Sequence, residues 1–402
     1  MSGAPRGWWA AIRRAVADER VAAQLISVFI GAALTAVAAV LYSGASGAWQ
    51  LSVRDESDRT AALQEQVRVV YGDEAPVAFR VATAEVRTRA LRTIENPGRL
   101  VAPEAEVAEQ LAFRLSQTAL PGSLAADRRY ALPEGGFDVP RRLADLLRSE
   151  PLPPDPEVAR LDGDAQARRA GVVGLVTVLI TGIAIVVAAM PRRRTQGRGV
   201  RQEPEIIPQP GLAAEGRRRV TILLLVLWAA GVLLPLGQLA LAAEEQRSQA
   251  AAARAAIHLS GQIAVGLTRS GFETNALRDA VFTDVAATAR ELAALDAPDA
   301  DATAERELAR VEEAAAAVNR DIAARMGRVP DAVDGLDVRT VTALRSGGND
   351  WRATRATQLA ETDRADVYGD WSNHAVALIA VVVAVTAWFE VVSTLHHRRE
   401  GE

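Results

Sequence analysis

The chain has 402 residues, a net charge of −4, no cysteine and no lysine, so all 46 basic residues are arginine. Without thiols there are no disulfides, thiolate nucleophiles, zinc–thiolate sites or iron–sulfur clusters, and without lysine no Walker A loop or pyridoxal Schiff base. The near-balanced charge leaves no nucleic-acid footprint, and only four histidines are present for metal chemistry.

Residues 1–20 place Trp8, Ile12 and Val16 at i, i+4 and i+8, with Arg6, Arg13 and Arg14 away from that stripe. They read as a cytoplasmic segment with amphipathic character. From Val21 to Val53 no residue is charged. Residues 21–43, the first expected transmembrane helix, are long enough to cross a ~30 Å hydrocarbon core. Ser46-Gly47-Ala48 has the composition of a signal-peptide cleavage site. The apolar run exceeds the usual h-region of about 7–15 residues, which favours a retained anchor.

Residues 44–169 form the first polar region. Leu63, Val67 and Val70 share one helical face, as do Val86, Ala90 and Ile94 before Asn96-Pro97-Gly98 breaks the period. Val107, Leu111 and Leu115 mark another helix, ended by Pro121-Gly122. Leu132–Pro140 reads as loop, Leu143, Leu146 and Leu147 as a short helix, and the prolines at 151, 153, 154 and 156 as a stiff connector.

Residues 170–190 are a second uncharged span. Residues 191–219 follow as a linker rich in arginine and proline, and residues 220–243 as a third span, with Pro235 predicting a kink. In the second polar region, 244–374, Leu277, Val281, Val285, Ala289, Leu292 and Leu295 keep a spacing of 3–4. So do Leu308, Val311, Ala315, Val318 and Ile322, behind candidate caps Asp299, Asp301 and Thr303. Pro330–Gly348 reads as loop. Residues 375–395 are the last span and 396–402 a short tail. Strand-like alternation is scarce, which predicts an all-α integral membrane protein with four transmembrane helices and two extracytoplasmic helical domains.

The short segments 1–20, 191–219 and 396–402 hold four, eight and two arginines and fall on one side of this topology. The long regions carry 17 arginines against 20 acids and 15 against 22. By the positive-inside rule both termini and the linker are cytoplasmic, and Arg192, Arg193, Arg194, Arg217, Arg218 and Arg219 are topology determinants that meet lipid headgroups. Each half starts and ends inside, so the halves form parallel repeats of plan. Asp162-Gly163-Asp164-Ala165 loosely echoes Asp363–Asp370.

Candidate chemistry is sparse. The loop Asp331–Asp337 carries acids three apart, but its glycine and its twelfth position do not fit an EF-hand. His258 lacks a ligand partner at metal spacing, and His374 and Trp371 fit an interfacial anchor. Hydrolase, metalloprotease and phosphate-loop motifs are missing, so no catalytic, cofactor or metal site is assigned and the chain reads as non-enzymatic. Gln238 and Glu390 are the polar candidates inside the membrane, beside Gln24 near the inner face. Gly31, Thr35 and Ala39, and Ala380 and Ala384, are small residues at helix-packing spacing.

The plan of span, outer helical bundle and span resembles the sensory half of bacterial chemoreceptors and histidine kinases, in topology. That resemblance implies a sensor, accessory or scaffold role, with output through the 191–219 linker or a partner protein. The expected partners are the lipid bilayer and a protein partner or a second copy, in a cell membrane. The competing expectation is an oligomeric channel or transporter subunit using Gln238 or Glu390.

Overall fold

The computed structural model describes residues 19–94, 100–189, 214–328 and 351–399. Among the described residues the fold is all-α, and the only β-type pairing is one isolated bridge between Ala131 and Phe137. In chain order the elements begin with α1 (Glu19–Val67), a π-helical segment (Arg68–Glu74), α2 (Ala75–Arg92) and α3 (Val101–Thr118). A 3₁₀ turn (Arg128–Tyr130), α4 (Val139–Ser149) and α5 (Pro156–Ala189) follow. The chain then forms α6 (Ala214–Asp296), α7 (Asp299–Met326) and α8 (Trp351–Arg399).

Three helical runs, Phe29–Arg92, Pro156–Val186 and Trp351–Trp388, are long and apolar enough to cross a membrane. They overlap the expected spans 21–43, 170–190 and 375–395 over residues 29–43, 170–186 and 375–388. The expected span 220–243 lies within α6, which continues through Pro235 without ending. The amphipathic reading of 1–20, the Asn96-Pro97-Gly98 break, Arg192–Arg194 and the Pro330–Gly348 loop all fall outside the described residues.

The chain divides into two compact units. One comprises Met1–Val53, Pro156–Ala252 and Leu359–Glu402, and the other Arg54–Asp155 and Ala253–Gln358. Two separate outer domains, 44–169 and 244–374, are expected from the sequence. The structure instead draws most of both regions into one unit. The reason lies in a shared core: Tyr71 and Phe79 of the first region pack in one apolar cluster with Phe272, Ile322 and Met326 of the second.

In the membrane-type unit, α1 buries a narrow seam of Ala38, Ala45, Trp49 and Ser52. Small residues let backbones approach closely where lipid removes any hydrophobic drive for association. Gly31 is buried near the Thr181 hydroxyl of α5, Thr35 is half-buried, and on α5 Thr177 and Thr181 are buried. Of the predicted small-residue stripe, Gly31 thus packs, and Ala38 is the fully buried alanine rather than Ala39. Ala380 and Ala384 are exposed on α8, so their spacing reflects alanine content rather than packing within the chain. Large aliphatic side chains such as Val172, Leu179 and Ile183 point outward, as lipid-facing residues do.

The second unit has an ordinary apolar core. Tyr71 and Phe79 meet Phe272 edge-to-face, with ring centroids 6.3 and 6.4 Å apart. Leu63, Val67 and Val70 of the predicted α1 face join them, with Leu124, Tyr130, Leu143, Ile322 and Met326. The Leu132–Pro140 loop is tight. Gly136 sits at φ +87°, and a Cβ there would lie 3.0 Å from Ile322 Cγ2, so glycine serves both conformation and space.

α6 and α7 form an antiparallel hairpin. Arg290 pairs with Glu305 and Asp284 with Arg320, and Glu273 lies beside Gly327. None of the three predicted residues caps α7. Its N-cap is Pro298, whose carbonyl accepts from Ala302 N at 2.7 Å. Asp299 and Asp301 fall within the first turn, where their charge suits the helix dipole. The Thr303 hydroxyl turns back to the Asp299 carbonyl at 2.9 Å.

Candidate functional site

Polar side chains gather at one place in the membrane-type unit and three in the bundle. In the membrane-type unit the centre is Asp164 of α5. Its carboxylate accepts from Trp49 Nε1 of α1 at 3.2 Å, from Arg160 at 2.7 Å and from Arg247 Nε of α6 at 3.1 Å. Asp164 therefore ties α1, α5 and α6 at the height of Trp49, an aromatic suited to a membrane interface. The contact requires glycine at 163: a Cβ there would stand 2.6 Å from the Trp49 ring and 3.1 Å from the Ala45 carbonyl. On α8, a Cβ on Gly369 would lie 3.2 Å from the Glu245 carboxylate of α6, the end of a flexible side chain.

In the bundle, two arginines and three glutamates join four helices. Arg87 of α2 bonds Glu104 of α3 at 2.9 Å and Glu312 of α7 at 2.6 Å. Arg290 of α6 bonds Glu104 at 3.0 Å and Glu305 of α7 at 3.2 Å. Glu312 is almost fully buried, and loss of its guanidinium partners would strand a carboxylate at a cost of about 3–5 kcal/mol. A second buried carboxylate, Glu74, sits in the π-helical segment. It takes a bidentate pair from Arg142 at 2.7 and 2.9 Å and the Leu124 N–H at 3.0 Å. The Glu74 carboxylate in turn raises the Arg142 guanidinium above its ordinary value. The wider π turn is what swings Glu74 inward onto α4 and the 120–127 loop.

A third group lines α1, α6 and α8. His258 Nδ1 lies 3.7 Å from buried Glu56, its other ring nitrogen 3.2 Å from Gln262, and Thr354 donates to Gln262 at 3.3 Å. His258 is thus one member of a polar layer, not an isolated packing residue. Among the described residues no group of three or more potential ligands is placed to hold a metal.

Of the sites expected from sequence, Gln238 is half-buried on α6. Glu390 lies on α8 and Arg217, Arg218 and Arg219 at the start of α6, and their side chains fall outside the described residues. The His374 ring meets the Asp370 carbonyl at 2.6 Å, beside Trp371. The residues the sequence did not single out are the ion-paired ones. Arginine and glutamate are so common in these helices that no spacing separates a buried pair from a solvated one.

Compared with family models, curated proteins and solved structures, the chain matches none. Fold and sites define a class: an all-α protein with helices of membrane-crossing length and a helical bundle fastened by arginine–carboxylate pairs. Membrane localisation follows from those helices.

Proposed function

We propose that this is a non-enzymatic, multi-pass protein of the cell membrane whose outer helical bundle binds a protein partner or ligand, in a sensory, accessory or scaffolding role. In this reading the chain crosses four times, at 21–43, 170–190, 220–243 and 375–395, with both termini and the 191–219 linker inside. The asymmetry of arginine between short and long segments supports that orientation.

The observation that carries the reading is the continuity of α1, α6 and α8. Each is one helix with residues in both compact units. Rigid elements are what couple distant sites, and in this reading these helices carry a displacement of the bundle toward the spans. The polar groups support binding rather than turnover. The carboxylates Glu74, Glu104 and Glu312 are engaged by guanidinium groups that link helices, which suits a structural role.

Crosslinking in intact membranes, followed by purification of the full chain and peptide mapping, tests the proposal. The expected result is crosslinks from residues 54–155 or 253–358 to a defined partner. Recovery of the chain alone, with no ligand-dependent change in its crosslinks, would overturn it. Accessibility labelling of single cysteines in this cysteine-free chain tests the topology: positions in 191–219 should label only from inside.

A further inference from the structure

α6 has two apolar faces, and among the described residues only one of them is covered within the chain. The used face is small: Ala276, Ala280, Ala287 and Ala294 are buried, at spacings of 4, 7 and 7. Beside it runs a second stripe of larger residues left in the open. Val281, Val285, Leu292 and Leu295 are 52%, 59%, 61% and 74% exposed, and Leu277 and Phe282 extend the patch. With the exposed Thr288 between them, positions 281, 285, 288, 292 and 295 follow a 4-3-4-3 spacing. That is the 3.5-residue seam of a helix awaiting a helical partner.

From this surface we infer that two copies of the chain associate through residues 277–295 of α6, packed side by side about a two-fold axis along the membrane normal. One observation and two general arguments favour a second copy. The patch presents on the order of 600 Å² of apolar-residue surface, at the upper limit for monomers and most of the ~800 Å² that one partner gives a standard interface. Copies in one membrane share an orientation, so the same stripe on each meets its twin in parallel, as an isologous contact requires. Confinement to the bilayer adds effective concentration, which lets about two heptads suffice. Asp284, beside the seam, is already paired with Arg320 of α7, and the exposed acids Glu291 and Asp296 lie at its edges, within reach of solvent. The inference rests on the chain being a membrane protein and not on its binding any further partner.

The test uses the full chain, whose lack of cysteine makes single-cysteine variants clean. In membranes, Val285→Cys and Leu292→Cys are expected to form covalent dimers under mild oxidation. Arg310→Cys, on the exposed face of α7, should give at least tenfold less. In lipid nanodiscs the unmodified chain should have the mass of a dimer. Leu292→Asp combined with Leu295→Asp should give a monomer of unchanged helicity, since both side chains are exposed within one copy. A monomeric unmodified chain would overturn the proposal. So would equal crosslinking at Arg310→Cys, or a dimer that survives both aspartates. A monomer that crosslinks a different protein at Leu292→Cys would overturn it while leaving the partner-binding reading intact.

Discussion

Residues 54–155 and 253–358 share one bundle but fill it in different proportions. The first stretch buries large side chains such as Tyr71, Phe79, Leu124, Tyr130, Leu143 and Leu147, although Val107, Leu111, Phe113 and Leu120 stay exposed. The second buries Phe272, Leu308, Ile322 and Met326 among alanines such as Ala276, Ala280, Ala315, Ala316 and Ala323, and leaves Leu277, Val281, Val285, Leu292 and Leu295 outside. Alanine faces bring helix axes close together, and large side chains on neighbouring faces are then pushed to the rim. Burial therefore follows the pairing of large against small, not hydrophobicity alone.

That comparison can be broken at its strongest point first. Arg142→Met should destabilise the full chain in detergent by about 3–5 kcal/mol, because it leaves buried Glu74 without its cation. Denaturant unfolding followed by circular dichroism measures it, and Glu74→Met added to Arg142→Met should recover much of the loss. Phe79→Ala, from the large-residue half, should cost a similar ~3–5 kcal/mol by the same assay.

On the alanine side the damaging change runs the other way. Ala316→Leu adds bulk at a fully buried position, where overpacking costs about 1–3 kcal/mol, whereas an ordinary solvated helix would tolerate it. Leu277→Ala should change the stability of one copy by about 0.5 kcal/mol or less despite its size, as expected for an exposed residue. A loss of several kcal/mol there in a monomeric preparation would erase the distinction between the two halves.

The smallest effect is a pH dependence in the first half. Burial works to raise the Asp145 carboxyl, but the Tyr130 hydroxyl and the guanidinium groups of Arg148 and Arg129 outweigh it and hold the carboxyl below its ordinary value. A depressed folded-state pKa stabilises above the unfolded value near ~3.9, and that contribution is lost as pH falls through the folded one. Removing it with Asp145→Asn should lower stability slightly at neutral pH, where the carboxylate contributes, and leave the acid end nearly unchanged, which flattens the acid limb of the stability curve.

Much of the fold was legible in the chain. The apolar runs gave the three helices of membrane-crossing length. The 3–4 periodicities gave α1, α3, α4, α6 and α7, and Gly135-Gly136 gave the loop before α4. The cap of α7 was not legible, because Asp299, Asp301 and Thr303 compete on equal terms until the turn at Pro298 settles the register. Nor was the Asp164 cluster, since Trp49, Asp164 and Arg247 lie far apart in sequence and no spacing rule links three separate helices.

The sequence by itself determined period and partition: which segments are helical, which are apolar enough for a bilayer, and how the arginines are distributed. These depend on near neighbours and on composition, which the chain carries locally. Only the tertiary structure decided which helix faces are buried, that the two polar regions share a core, and which of many arginines and glutamates meet. Those outcomes depend on how large and small faces fit across space. The stripe on α6 shows the difference: its 3–4 spacing announces a helix, but only the packed bundle shows that α7 takes the alanine face and leaves the leucines uncovered.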